Sequence, residues 1–212
     1  MAPTWVKDAV FYQIFPERFA NGDRSNDPPN VARWDDDIPT RENFFGGDLA
    51  GILAHRDHLT RLGVNALYTT PIFEAQTNHK YDTTDYRRID PAFGTLETFK
   101  TVLQGLHERG IHWILDGVFN HCGYHFPAFQ DVMAHGRQSR YWDWFFIDDT
   151  LPDPPTYQTC GGAIYLPKLN TSNPEVQQFV LDTAAYWLEQ GADGWRLDVP
   201  WKVDMRLWER FR

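Results

Sequence analysis

Gly194-Trp195-Arg196-Leu197-Asp198 sets an arginine and an aspartate two residues apart in an otherwise apolar run. Read as a strand, successive side chains point to opposite faces, so Arg196 and Asp198 share one face while Trp195, Leu197 and Val199 share the other. An arginine on an apolar strand is costly to bury unless it is paired. A guanidinium beside a carboxylate favours the ionised acid. That suits a carboxylate that attacks or stabilises a cationic centre. The same five residues also fit a structural ion pair, and the rest of the chain must decide between the two.

Working back from this strand, Asn173-Pro174-Glu175 opens a helix with a cap residue, a proline in the first turn and an acid near the positive end. Val176, Phe179, Val180, Thr183, Ala184, Trp187 and Leu188 then recur at helical spacing, and Gly191 ends the helix. The same order appears twice before it. Asp48 caps a helix over 49–62 with Ile52, Leu59 and Leu62 on one face, Gly63 stops it, and a strand follows over 65–70. Thr95 caps a helix with Leu96, Phe99, Leu103 and Leu106 on its apolar face. Gly110 ends that helix, and a strand over 111–115 runs into Asp116. A first strand is expected over 10–14, and a further helix begins near Asp204. Residues 21–43 and the stretch from Pro71 to Gly94 read as polar loops. Residues 121–171 carry little periodicity, many aromatics and the turn-rich Leu151-Pro152-Asp153-Pro154-Pro155.

Strand, helix, glycine, strand, repeated, implies a parallel sheet with helices outside it. The long loops all follow strands, which is the arrangement of a TIM (β/α)8 barrel with its functional loops on one face. No glycine-rich phosphate loop follows the first strand, which argues against a doubly wound open sheet. A barrel needs about 250 residues and eight strands, and four strands are expected here. The expected organisation is therefore α/β: the first four β/α units of a barrel, with a small inserted domain after the third strand. Residues 1–120 hold barrel units one to three, 121–171 the inserted domain, and 172–212 the third helix, the fourth strand and the start of the fourth helix.

Composition narrows the function. A net charge of -9 argues against a nucleic-acid partner. No apolar run approaches the roughly 20 residues of a membrane span. The first ten residues lack an apolar core of signal-peptide length, so a cytoplasmic location is expected. Cys122 and Cys160 fit no metal-ligand spacing and are expected to be free. Nine tryptophans are many for 212 residues. Their faces suit sugar rings as well as cores.

With these features in place, the chain resembles the alpha-amylase family of glycoside hydrolases, family 13, over nearly its whole length. Asp116-Gly117-Val118-Phe119-Asn120-His121 resembles the motif after the family's third strand, and Gly194 to Asp198 resembles its nucleophile motif. His79-Lys80-Tyr81-Asp82-Thr83-Thr84-Asp85-Tyr86 resembles the loop after the second strand. Leu166-Pro167-Lys168-Leu169-Asn170 resembles a motif of the neopullulanase, cyclomaltodextrinase and maltogenic amylase subgroup, which usually has Met at the position of Leu166.

The resemblance implies that Asp198 is the catalytic nucleophile and Arg196 its partner, that Asp116 supports the site, that His121 hydrogen-bonds the sugar and that Tyr81 stacks under it. It implies a retaining mechanism on oligo- or polysaccharide substrates, alpha-1,4 and in some members alpha-1,6 glucans, with two carboxylates about 5 to 5.5 Å apart. The family's general acid is a Glu after the fifth strand, which lies outside this sequence. Glu209 falls in the fourth helix and does not take its place. The fragment alone is expected to be inactive, with raw sheet edges that invite aggregation. After Asp198 the subgroup usually ends a short stretch in Asn-Glu. Here Pro200-Trp201-Lys202 stands there, placing Lys202 on the acceptor side. Rival readings are a transglycosylase or alpha-glucosidase of the same family, and a non-catalytic sugar-binding or scaffold protein. No oligomeric state follows from these residues.

A calcium site is also implied. Asn21-Gly22-Asp23-Arg24-Ser25-Asn26-Asp27 concentrates hard oxygens, and Gly46-Gly47-Asp48 follows about twenty residues on. Read alone, these residues also fit an Asx-turn loop followed by a helix cap. The resemblance assigns Asn21, Asp23, Asn26, Asp27, the Gly46 carbonyl and Asp48 to a structural Ca2+. Whether Asn120 binds a second calcium stays open.

Overall fold

Four short apolar runs pair edge to edge as the core of the chain. They are β1 (Phe11–Ile14), β2 (Ala66–Thr69), β5 (His112–Gly117) and β8 (Gly194–Leu197), all parallel, in the order β1-β2-β5-β8. This is a computed structural model, and it describes residues 3–149 and 156–212. The turn-rich segment expected at 151–155 lies outside the described residues.

Each strand after the first is preceded by a helical segment. These are α1 (Leu49–Ala54) with α2 (Arg56–Arg61), α3 (Leu96–His107) and α5 (Pro174–Glu189). One face of the sheet, carrying Ile14, Leu67, Trp113 and Leu115, is buried against Ile52, Leu59, Phe99, Leu103, Leu106 and Trp187 of those helices. Burial of such side chains is worth roughly 1.5–3 kcal/mol each, and it holds the strands in register. Caps form where the sequence placed them. Asp48 accepts from the Gly51 N–H, Thr95 and Thr98 form a reciprocal capping box, and Asn173 accepts from the Glu175 and Val176 N–H groups.

The structure corrects several expectations. The helix over 49–62 is two pieces, because the chain leaves helical geometry at His55 (φ -101°, ψ 11°). The second piece is turned, so Leu59 is buried and Leu62 is 53% exposed. Leu188, placed on the apolar face of its helix, is 46% exposed because it lies one position past the buried stripe that ends at Trp187. The stretch from Pro71 to Gly94 is not only loop. It contains an antiparallel hairpin of β3 (Phe73–Ala75) and β4 (Thr83–Ile89). Its two register shifts break the period-two pattern, so burial falls at Thr83, Tyr86 and Ile89 rather than on alternate residues.

Residues 121–171 hold α4 (Pro127–His135), a small ladder of β6 (Ile147–Asp148) and β7 (Thr156–Tyr157), and a return segment. That segment pairs Lys168 with His121 and Leu169 with Phe145. Phe129, Val132, Trp144, Phe145 and Leu169 pack in one cluster with Val176 and Val180 of α5 and with Leu207 of α6 (Met205–Phe211). Cys122 and Cys160 are both free. Among the described residues no helix is long and apolar enough to cross a membrane.

Candidate active site

Parallel pairing brings the charged residues together. Asp116 of β5 is the register partner of Arg196 of β8, so both side chains leave the sheet on the same face at neighbouring strand ends. Tyr68 of β2 pairs with Ile114, two residues before Asp116, and projects on that face too. Beyond β8 the chain turns sharply. Val199 takes a left-handed conformation (φ 38°, ψ 51°) before the turn at Pro200–Lys202. A β-branched residue there is strained, and the bend sets Asp198 at the lip of the sheet. The strand therefore ends at Leu197, and Val199 does not continue the face of Trp195 and Leu197 as the alternation predicted.

One guanidinium nitrogen joins two acids. Arg196 Nη1 donates to Asp198 Oδ1 at 2.8 Å and to Asp116 Oδ1 and Oδ2 at 3.0 and 3.1 Å. The Asp116 side chain is fully buried. Its Oδ2 also accepts the hydroxyls of Tyr68 at 2.7 Å and Tyr81 at 2.8 Å. Burial pushes the Asp116 carboxyl above its ordinary value, against the pull of the Tyr68 hydroxyl, Arg196 and the Tyr81 hydroxyl. Burial raises both phenols, Tyr68 and Tyr81, and hydrogen bonding to and charge on Asp116 add to it, so each acts as a donor. Burial works against the charge on Arg196, but Asp116 and Asp198 outweigh it and the guanidinium stays protonated. Among the described residues, only Oδ1 of the two Asp198 oxygens is engaged in a hydrogen bond, and the side chain is 14% exposed.

His121 follows β5 and is 2% exposed. Burial depresses its pKa to about 4, so the ring is neutral at physiological pH. Its Nε2 is buried with no hydrogen-bond partner among the described residues, while Nδ1 meets the Asn120 amide at 3.2 Å. Asn120 Oδ1 is likewise buried without a partner. An isolated buried polar atom costs stability, which marks both atoms as able to take a further hydrogen bond.

The expected site residues thus divide. Asp198, Arg196, Asp116 and Tyr81 form one hydrogen-bonded cluster. Tyr81 contributes its hydroxyl to Asp116, an interaction the expected ring stacking did not include. Lys202 stands exposed on the turn after Asp198 and shares no described hydrogen bond with the cluster. Trp201 beside it is 78% exposed. Tyr68 was missed by sequence reasoning. Its signal was a phenol in the otherwise apolar run Ala66-Leu67-Tyr68, one pleat out of phase with buried Leu67. Glu209 lies exposed in α6, away from these strand ends.

The residues assigned to calcium do converge. Asp48 accepts from the Gly22 and Asp23 N–H groups at 3.0 and 2.8 Å, from Gly51 N–H at 2.6 Å and from Asn26 Nδ2 at 3.1 Å. It is therefore both helix cap and loop staple. Asn21 Nδ2 donates to Asp27 Oδ1 at 2.5 Å, and Asp23 Oδ1 accepts from Ser25. Asn21 Oδ1 and Asn26 Oδ1 are buried with no partner among the described residues. Gly46 has φ +74°, and a Cβ there would lie 2.5 Å from Asp27 Oδ1 and 2.7 Å from Asn21 Nδ2. A hard-oxygen cradle with two orphaned amide oxygens, too tight for any side chain at Gly46, fits a calcium ion.

Comparison with known proteins agrees with this geometry. The family model "Alpha amylase, catalytic domain" matches residues 13–208. A cyclomaltodextrinase from a Bacillus species is 53% identical over 99% of this chain and 38% of its own length. Neopullulanase 2 of Thermoactinomyces vulgaris is 53% identical over 99% of this chain and 37% of its own. The solved cyclic alpha-maltosyl-(1-->6)-maltose hydrolase from Arthrobacter globiformis superposes with a TM-score of 0.94 at 54% identity, covering 99% of this chain and 48% of that one. This chain thus spans less than half the length of these relatives. With its parallel α/β sheet and its paired strand-end acids, the chain belongs to the alpha-amylase catalytic domain family, a TIM-barrel superfamily.

Proposed function

We propose that this chain supplies the nucleophile half of a retaining alpha-glucan glycoside hydrolase whose general acid is carried by further sequence. In this reading the four parallel strands are the first four of a (β/α)8 barrel, and residues 121–171 are a small domain inserted after the third. The observation that carries the proposal is Arg196 holding Asp116 and Asp198 together at the ends of adjacent strands, with the second Asp198 oxygen in no hydrogen bond among the described residues. Two carboxylates around one guanidinium leave a net negative charge, which favours an oxocarbenium-like transition state.

Asp198 Oδ2 attacks the anomeric carbon as the glycosidic bond breaks. The acid protonates the leaving oxygen, and water then cleaves the glycosyl ester. Neutral His121 donates or accepts a hydrogen bond through Nε2, and its depressed pKa keeps a second positive charge away from the cationic sugar. Tyr81 and Tyr68 fix Asp116, and Asp116 fixes Arg196. Asn21, Asp23, Asn26, Asp27, Gly46 and Asp48 would hold a structural Ca2+ that ties the first long loop to α1.

The substrate is proposed as an alpha-1,4 glucan, linear or cyclic, with alpha-1,6 links as a variant. The names of the relatives, cyclomaltodextrinase, neopullulanase and maltogenic alpha-amylase, support that class. A relative named intracellular maltogenic amylase, from Bacillus subtilis, fits an intracellular location. The exposed Trp201 favours transfer to a sugar acceptor as an accompanying activity, because an aromatic face beside the nucleophile can seat a sugar in competition with water.

The test is Asp198→Asn in the full-length natural product, assayed on maltooligosaccharides and cyclodextrins. Turnover is expected to fall by about a thousandfold or more, the scale on which triad members fail in other covalent enzymes. Wild-type rates in a folded variant would sink the assignment.

A further inference from the structure

A second polar cluster lies at the opposite ends of the same strands. His112 is the first residue of β5, Asp193 immediately precedes β8, and His107 is the last residue of α3. Asp193 Oδ2 meets His107 Nε2 at 2.8 Å, and Asp193 Oδ1 meets His112 Nδ1 at 3.0 Å. The three ligand atoms all lie within 4.8 Å of one another. The geometry points to a transition-metal binding site, His107–His112–Asp193, for an ion of the Zn2+ type, separate from the active site and from the calcium cradle.

Four features support this beyond proximity. The donor set is right: two imidazole nitrogens and one carboxylate oxygen suit Zn2+, Cu2+ or Ni2+, whereas Ca2+ and Mg2+ prefer oxygens throughout. The scale is right as well. Zinc bonds of about 2.0–2.2 Å put tetrahedral ligand atoms roughly 3.3 Å apart, so the His–Asp contacts at 2.8 and 3.0 Å would open slightly as the ion entered and any wider pair, up to 4.8 Å, would close onto it.

The groups are also held in place. Asp193 Oδ2 accepts the Trp113 N–H at 2.7 Å, and the His112 ring stacks on Trp5 with centroids 4.1 Å apart and planes 17° apart. Such outer contacts orient metal ligands in known sites. Finally, the site is reachable. The His107, His112 and Asp193 side chains are 41%, 34% and 16% exposed, so an ion can enter from solvent and water can fill the fourth position. Because the ligands come from α3, β5 and the approach to β8, an ion bound there would cross-link three elements and stabilise the folded state.

The experiment is a Zn2+ titration of the untagged full-length protein by calorimetry at neutral pH, with calcium saturating. The variants are His107→Gln and His107→Gln/His112→Gln. Wild type should take up one equivalent that the double variant lacks. His107→Gln should bind that equivalent at least about tenfold more weakly, since even outer-contact changes cost 10- to 100-fold at metal sites. Cu2+ gives a local readout. It should quench part of the tryptophan emission saturably, and that part should vanish both in Trp5→Phe and in the double variant. His107 sits on the surface at a helix end, so its single variant should fold, and circular dichroism without metal checks this. Equal stoichiometry and affinity in wild type and His107→Gln would overturn the proposal. So would quenching that Trp5→Phe leaves unchanged. The six other histidines, which both variants retain, set the background.

Discussion

Replacing Tyr68 by Phe removes one hydroxyl and leaves no cavity, so it isolates a single hydrogen bond to a fully buried acid. Asp116 accepts from Tyr68 at 2.7 Å, Tyr81 at 2.8 Å and Arg196 at 3.0 and 3.1 Å. A hydrogen bond to a charged group contributes about 1.5–3 kcal/mol, and one between neutral groups about 1 kcal/mol. Tyr68 is only half-buried, so the lower part of the charged range applies, about 2 kcal/mol at pH 7. The pH dependence is the sharper test. Burial already holds the Asp116 carboxyl above its unfolded value, and the Tyr68 hydroxyl is the largest influence pulling it down. Removing that hydroxyl raises the folded pKa further. A group whose folded pKa is raised gives its full stability below the unfolded pKa and loses it as pH rises through the folded value. The cost of Tyr68→Phe should therefore be smaller at pH 4 than at pH 7, approaching about 1 kcal/mol as the carboxyl protonates and about 2 kcal/mol as it ionises. Urea unfolding of wild type and variant at both pH values measures it. A cost that is equal at the two pH values, or larger at pH 4, refutes the idea that Tyr68 serves an ionised Asp116.

Three further outcomes are expected. Excess chelator should lower the melting temperature by several degrees, since an ion at a hundred times its Kd stabilises by about 2.7 kcal/mol; an unchanged melting temperature counts against the Asn21 to Asp48 site. Gly46→Ala should mimic chelation and blunt any further effect of it, because its Cβ would press on Asp27 and Asn21; a variant with wild-type stability and calcium response contradicts the cradle. His121 has a folded pKa depressed to about 4 against an ordinary value near 6.5. Its contribution is present above pH 6.5 and is lost as pH falls toward 4, so His121→Gln should flatten the stability profile between those values, and an unaltered slope in differential scanning calorimetry would refute a buried neutral ring.

The sequence by itself determined the alternation of helix and parallel strand, because capping residues, helix-ending glycines and apolar periodicity act within a few residues. It also marked Asp116, Arg196 and Asp198 as strand-end charges, although those residues alone fit a structural ion pair equally well, and it was the family resemblance that singled out Asn21 to Asp48 from an ordinary Asx-turn loop. What it could not determine depends on partners far apart in the chain. Tyr68 joins the site only because β2 lies beside β5. The β3–β4 hairpin formed against its own pattern because bulges shift which residues meet the core. The break at His55 and the exposure of Leu62 and Leu188 were settled by which side of each helix the sheet covers. His107, His112 and Asp193 converge across 86 positions of sequence because parallel pairing sets the starts of β5 and β8 side by side. Local chemistry wrote the elements and their reactive ends. Strand register and packing, which are non-local and depend on the whole core, decided which of those residues touch.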